Sequence, residues 1–270
     1  MSRVETLVLG NLLVLAIGLL IPACNQIRIR DGNGGARMQS TNNLKNIGLA
    51  MHSFHDANKR LPYNGTKEAV ANDPTSGSWA FQILPYIDQA ALFANPTAKN
   101  IGIAAYMDPG RGRQGYITDG PPWSDYFINN YLNDPKNAAT PNNPDAKVAF
   151  HDITDGASNT LFAGQGNIST ADYSKTSEVA GSGSIFVGGT SGTMRAGPTW
   201  EKGKPLSVAI QRDSASPPDL AKGGWGGPYP QGCLFVFVDA TVRMVPYSTA
   251  PTTVGAMLTP TGGEEVVIPD

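Results

Sequence analysis

The first twenty-four residues constrain this chain most, because they form an apolar run with a single acid near its start. The run MSRVETLVLGNLLVLAIGLLIPAC carries Glu5 at its beginning and Pro22 near its end. From Val4 to Cys24 it is long enough, at about 1.5 Å per residue, to cross a hydrocarbon core of about 30 Å as a helix. An ionisable side chain in such a run is costly and is usually kept because it has a partner. Glu5 therefore predicts a cation close by.

The segment offers two cations to Glu5. Arg3 is near in sequence but lies on a different face of a helix, so the α-amino group of Met1 is the alternative, on the same copy or on a neighbouring one. Met1, Glu5 and Pro22 resemble the start of mature type IV pilins and pseudopilins, which open with an apolar residue and carry a glutamate fifth and a proline at position 22. The resemblance implies a chain processed by prepilin peptidase.

Other kinds of apolar N-terminus share part of this pattern. A secretory signal peptide has a similar run, and Ile21-Pro22-Ala23-Cys24 loosely resembles a lipobox with Cys24 as the lipidated residue. A plain single-pass anchor is the third alternative. A glutamate inside the apolar run is unfavourable for all three, which favours the pilin interpretation.

Composition indicates a loop-rich head after this run. The chain has 270 residues with 31 Gly, 21 Pro and only 16% charged residues, which favours many turns and long surface loops. The formal net charge of −2 gives no electrostatic case for nucleic acid. The two cysteines, Cys24 and Cys233, are too few for a disulfide framework.

A glycine-rich hinge is predicted over residues 25–37, where Gly32, Gly34 and Gly35 each weaken a helix by about 1 kcal/mol relative to alanine. In the assembled form we expect a non-helical stretch between Pro22 and Gly35.

An amphipathic helix is predicted over residues 38–60. Its apolar stripe recurs every three or four residues and consists of Leu44, Ile47, Met51 and Phe54. The helix should end near Lys59, because Leu61 precedes Pro62 and is pushed out of the helical conformation.

A second resemblance runs along most of the chain in separate blocks. The segments STNNLKNIGLAMHSFHDANKRLP, WAFQILPYIDQAALF, DITDGASN, CLFVFVDATVRMV and TPTGGEEVV resemble a large bacterial family of pilin-like proteins with a prepilin-type N-terminus. That family carries a histidine, nine residues and then Asp-Gly in its last hairpin. Here Tyr229 stands at the histidine place and Asp239-Ala240 replaces Asp-Gly. Residues 94–150 and 167–227 look like elaborated loops.

Histidines and acids supply the candidate ligand sites. His52 and His55 have a spacing that lets two imidazoles meet one metal, with Asp56 beside them, but a polar helix end is the favoured interpretation. A turn with Asp152, Asp155 and Asn159 offers oxygen ligands for calcium, and a solvated turn is favoured there.

Aromatic residues and sequence motifs do not point to catalysis. The four tryptophans, which lie in or next to loops, could stack on sugars or fill a subunit interface, but packing onto the head is favoured: Trp79, Trp123, Trp200 and Trp225. No catalytic motif occurs, and we expect neither an enzyme nor a cofactor or metal site.

The sequence and its resemblances predict a pilin-like α+β fold: an N-terminal helix, apolar in its first half, packed on an antiparallel sheet head with long loops. We expect residues 1–24 to be the membrane and filament-core helix and 61–270 to be the head. The expected function is that of a structural subunit of an extracellular filament, with Met1, Glu5 and Pro22 in assembly. Its partners would be other copies, the inner membrane before assembly, prepilin peptidase and the pilus or secretion machinery. A minor pseudopilin of a secretion system and a membrane-tethered carbohydrate-binding protein are the alternatives.

Overall fold

The computed structural model describes residues 34–65, 67–132, 148–174, 183–190, 192–195, 197–198, 200–201, 203–216 and 224–264. By its contacts the chain divides into the units Met1–Gly35 and Ala36–Asp270. The predicted apolar helix over residues 1–24, with Met1, Glu5 and Pro22, lies outside the described residues, and so does Gly32. Among the helices that are described, none has both the length and the apolar character needed to cross a bilayer.

The first described element is one long helix, α1, which spans Gly34–Asn58. Its predicted stripe of Leu44, Ile47, Met51 and Phe54 is fully buried. Its end is also as predicted, since Lys59 adopts a left-handed φ of 58° and its amide donates to the His55 carbonyl.

The start of α1 differs from the predicted boundary. Gly34 and Gly35, which were assigned to the hinge, are helical, and the helix begins four residues before residue 38. Backbone amides in the first turn have no partner inside a helix, and a glycine costs less there than in the interior. The rest of the hinge lies outside the described residues, so the hinge itself stays a prediction.

A five-stranded sheet in the order β3-β1-β2-β4-β5 forms the centre of the head. Its pairs are antiparallel except β1 with β3, which are parallel, so the fully antiparallel sheet that the sequence predicted is wrong at this edge. A short strand that enters from a long loop can pair in either direction, and sequence pattern does not fix which. The strands are β1 Tyr126–Asn129, β2 Leu161–Gln165, β3 Met194–Arg195, β4 Cys233–Phe237 and β5 Val242–Val245.

Both faces of the sheet are covered. Along β4, Leu234 and Val236 point to the cluster that contains the stripe of α1, whereas Cys233, Phe235 and Phe237 belong to a second cluster on the other face. That second cluster includes residues of a C-terminal helix over Pro251–Leu258, which was not predicted from the sequence. The short helices are α2 Trp79–Gln82, α3 Ala90–Ala94 and α4 Pro251–Leu258.

The predicted closing hairpin is confirmed, with β4 and β5 joined through Asp239 and Ala240. The block that resembled a second helix is also helical, but it is broken into α2, a 3₁₀ turn over Leu84–Tyr86 and α3. The proline at position 85 lacks an amide donor and so interrupts the helical hydrogen-bond ladder.

Gly48 lets α1 lie directly on the hairpin. A Cβ built on Gly48 would approach Val236 Cγ2 to 2.8 Å and Ala240 Cβ to 2.9 Å, closer than such atoms pack. Gly48→Ala should therefore lower the free energy of unfolding by about 1–3 kcal/mol, although alanine is the better helix former.

Chemical denaturation of the full chain measures this effect. The matched control is Gly34→Ala on the same helix, where a Cβ would meet nothing within 4 Å and stability should be unchanged or slightly higher. Equal effects of the two substitutions would contradict the account.

Candidate functional site

The junction between α1 and the hairpin is held by polar contacts on both sides of Gly48. Lys45 Nζ donates to the carbonyl of Ala240 at 2.9 Å, and His52 Nε2 bonds to the carbonyl of Val238 at 2.8 Å. Positions 45, 48 and 52 follow one another at helical spacing, so they face the same way. The middle of α1 is therefore hydrogen-bonded to the backbone of the β4–β5 turn.

The turn itself is built to present these carbonyls. Asp239 Oδ1 accepts from the Thr241 amide at 2.8 Å and from its hydroxyl at 2.7 Å. Ala240 has a φ of 62°, a left-handed conformation that glycine adopts most easily and that Asp-Gly would supply in the resembled family. Ala240 meets this requirement without glycine, and its buried side chain lies over Gly48.

A second contact lies nearer the start of α1, at Ser40. The carboxylate of Asp108 accepts from Ser40 Oγ at 2.8 Å and from the hydroxyl of Tyr229 at 2.8 Å. The Tyr126 hydroxyl donates to Ser40 Oγ at 3.1 Å, and Asn43 Nδ2 donates to the Met107 carbonyl at 2.9 Å. The Tyr229 hydroxyl also lies 2.9 Å from Ser40 Oγ, so Tyr229 contacts α1 directly.

Asp108 connects this contact to a buried arginine–aspartate cluster. We use that name for the six charged residues Asp108, Arg111, Arg113, Asp125, Arg195 and Asp213, each of which is at most 8% exposed. The cluster holds three cations and three anions, so the formal charges balance. Balance matters because an uncompensated charge at such depth would cost several kcal/mol.

Arg111 is the centre of the cluster. Its Nε donates to Asp213 Oδ2 at 2.9 Å, and its Nη1 lies 3.4 Å from Asp125 Oδ1. It also donates to the carbonyls of Asp125 and Gly166. Although burial alone would lower the pKa of Arg111, the attraction of Asp213 and Asp125 raises it well above its ordinary value. Arg111 joins three loops that are far apart in sequence.

The remaining cations are held differently. Arg113 Nη1 lies 2.6 Å from Asp125 Oδ1, and its guanidinium lies 5.0 Å from the ring centroid of Trp123. The Arg195 guanidinium stacks on Phe127 with 3.3 Å to the centroid, and burial lowers the pKa of Arg195 well below its ordinary value.

Burial also raises the pKa of Asp108, against the opposing effect of Arg111. Its carboxylate nevertheless has a full set of donors, because the Gly110 amide and Gln165 Nε2 bond to it besides the two hydroxyls. The carboxylates of Asp108, Asp125 and Asp213 are therefore all engaged by donors inside the head.

The two helix histidines lie apart from this cluster and pack on one ring. His55 stacks on Phe150 with 4.0 Å between centroids, and His52 lies 4.7 Å from the same ring. Burial lowers the pKa of His55. His151 is exposed beside Asp152. Among the described residues there is no group of three or more His, Cys, Asp or Glu that could hold a metal ion.

The acidic turn ties the C-terminal segment to the head. The carboxylate of Asp155 accepts from the amides of Gly262 and Gly263 at 2.7 and 3.0 Å. Asp152 Oδ2 accepts from the Ala149 amide at 2.8 Å, and Asn159 Nδ2 donates to the Asp155 carbonyl at 3.0 Å. The oxygens of Asp152 are used within the turn, whereas those of Asp155 bind a segment more than 100 residues further along the chain.

The four tryptophans are buried, and so are Asn64 and Asn167, each of which begins an Asn-x-Ser/Thr sequence. All four tryptophans are at most 4% exposed, which fits packing and leaves no platform for stacking a sugar: Trp79, Trp123, Trp200 and Trp225. Asn64 and Asn167 are also buried, and their amides donate to the carbonyls of Thr190 and Gln211. Neither asparagine is accessible for glycosylation in the folded head. Cys233 is a buried thiol whose pKa is raised by burial.

The arginine–aspartate cluster was not predicted from the sequence. The local signal was the segment Asp108-Pro-Gly-Arg-Gly-Arg113, which places three charges in six residues of a chain with only 16% charged residues. Asp125 lies nearby in the same loop-like stretch and Asp213 lies about 100 residues further on in another, and neither stretch has a regular periodicity from which a contact could be predicted.

Removing Arg111 tests how much the cluster contributes to the free energy of unfolding. Arg111→Leu should lower the free energy of unfolding by about 3–5 kcal/mol, because it leaves Asp213 buried without its cation and Asp125 with Arg113 alone. The matched control is Lys204→Leu, which removes an exposed pair with Glu201 and should cost at most about 1 kcal/mol. Chemical denaturation measures both, and similar costs at the two sites would contradict this role.

Comparison with known proteins identifies a family. No curated protein and no solved structure matches the chain. The family described as "Protein of unknown function (DUF1559)" matches residues 36–101 and 102–252, a range that contains all but the first two residues of α1, the five-stranded sheet and the arginine–aspartate cluster. The chain belongs to this family.

Proposed function

We propose that the chain is a structural subunit of an extracellular type IV pilus-like filament, anchored first in the inner membrane and then assembled through residues 1–24. The observation that carries the proposal is the apolar run with Glu5 and Pro22 at the pilin positions. A tether needs no acid in the membrane, whereas a polymer can use it to set the register between neighbours.

The head's architecture fits a structural role. The buried Arg111 and Arg113 pair with Asp213 and Asp125. On α1, His52 bonds to a backbone carbonyl and His55 stacks on an aromatic ring. The long helix α1 is fixed to the sheet at two places, through Ser40 and around Gly48. A subunit that carries load from an N-terminal helix to its head needs such a junction.

The alternatives receive less support. Burial of all four tryptophans removes the aromatic platform on which a carbohydrate-binding role would rest. A minor pseudopilin shares every feature used above and differs in the length of the assembled rod. Electron microscopy of the sheared cell-surface fraction distinguishes them, because long uniform filaments containing this chain favour the filament subunit.

Glu5 provides the direct test. In a core of packed apolar helices its carboxylate should pair with the Met1 amine of a neighbouring copy, since an unpaired charge there costs several kcal/mol. Glu5→Ala should leave the chain in the membrane and the head folded while filament yield falls at least about tenfold.

Filament yield is measured by microscopy and by the amount of this chain in the sheared fraction. Arg3→Ala is the matched control, because it removes a charge from the same segment at a position outside the apolar run, and it should retain filaments. Normal filament number and length in Glu5→Ala cells would overturn the proposal and shift weight to a tethered protein.

A further inference from the structure

The exposed face of α1 carries two large apolar side chains that the head does not cover. Met38 is 68% exposed, more than any other large hydrophobic side chain of the described residues, and Leu49 is 51% exposed. Eleven residues separate them, which is about three helical turns. Both therefore lie on the same face of α1, about 16 Å apart along its axis.

The two positions differ in their surroundings. Leu49 forms one wall of a shallow cup on the side of α1, whereas Met38 is largely exposed on the helix surface. The cup is half apolar, with the exposed ring of Tyr86 opposite α1, and its lining residues are Asn46, Leu49, Tyr86, Ile87, Asp88 and Ala105. One site is thus a projecting apolar side chain and the other is a recess.

Charge adds a second element of complementarity. Arg37 precedes Met38 and is exposed, and the exposed Asp88 stands at the rim of the cup. Within the described part of the chain neither side chain forms an ion pair. A Met38 side chain seated in the cup of another copy would bring its Arg37 towards that copy's Asp88.

A contact of this kind has a definite consequence for assembly. The two complementary sites occupy different places on one molecule, so a copy that offers its projection to a neighbour keeps its own recess free. Such heterologous contacts do not close on themselves in a pair and can extend into an open helical array. Because Met38 and the Leu49 cup are about 16 Å apart along α1, each added copy is shifted in the same direction along the array.

We propose that Met38 of one copy docks into the Leu49 cup of the next copy, with Arg37 facing Asp88, and that this contact joins neighbouring heads. The inference rests on the proposed filament function and names the head surface through which copies of the chain meet. When the exposed apolar side chains pair in this way, their surface is removed from water, and this burial favours association of the two copies.

Paired cysteines test the contact. The full chain with Met38→Cys and Leu49→Cys together should form disulfide-linked multimers under mild oxidation, seen as a ladder on a non-reducing gel. Within one chain the two positions are about 16 Å apart, far beyond the roughly 7 Å limit between bridged Cα atoms, so each 38–49 bond joins two copies. The single variants control for bonds to Cys24 or Cys233, and coexpressed single variants should stop at dimers.

Charge exchange gives an independent readout if the cysteines disturb the fold. Arg37→Asp and Asp88→Arg should each lower filament yield several-fold, and the double exchange should restore it. The exposed Val70 lies outside α1, and Val70→Glu should leave the yield unchanged. Equal losses in the single and double exchanges would count against the contact.

The outcomes separate this inference from the filament proposal. Filaments without a ladder would refute the contact while the filament stands, and would leave the cup to another occupant such as the apolar N-terminal segment. A ladder in the membrane fraction without filaments would keep the contact and refute the filament. Neither filaments nor a ladder would overturn both.

Discussion

The close contact between α1 and the β4–β5 turn at Gly48 is the constraint on which the rest of the head depends. A helix can lie this near to a strand turn only where one residue has no side chain, and the turn must then present its carbonyls to the helix. Lys45 and His52 use those carbonyls one turn to either side of Gly48. The buried stripe of α1 follows from this placement, because the helix is held at the distance at which Leu44, Ile47 and Met51 fill the space above the sheet.

The arginine–aspartate cluster has a different role: it holds long loops against a small sheet. Loops from three distant parts of the chain meet at Arg111, and its five donors suit several acceptors at once. Since Asp108 also accepts from Ser40 and Tyr229, the cluster is continuous with the helix junction. Hydrogen bonds and ion pairs thus run without a break from Ser40 on α1 through Asp108 and Asp125 to the loops that meet at Arg111.

Sequence could predict the parts whose signals are local. The stripe of α1, its end near Lys59 and the hairpin around Asp239 were all visible as periodicity or turn chemistry. Strands β1 and β2 were missed because both faces of the sheet are buried, so YFIN and LFAGQ show no alternation of polar and apolar residues. The helix α4 was missed although Pro251 at its start and Val254, Met257 and Leu258 on its buried face gave a short signal. The cluster depends on contacts between residues about 100 positions apart, such as Arg111 with Asp213, which no local pattern encodes.

Native-state hydrogen exchange on the full chain tests the central claim that α1 and the hairpin form one cooperative unit. The account predicts that amides of residues 44–54 and those of β4 exchange with opening free energies within about 1 kcal/mol of each other, and that Gly48→Ala lowers both together. Exchange of the helix amides at a free energy several kcal/mol below that of β4, with β4 unaffected by Gly48→Ala, would contradict it.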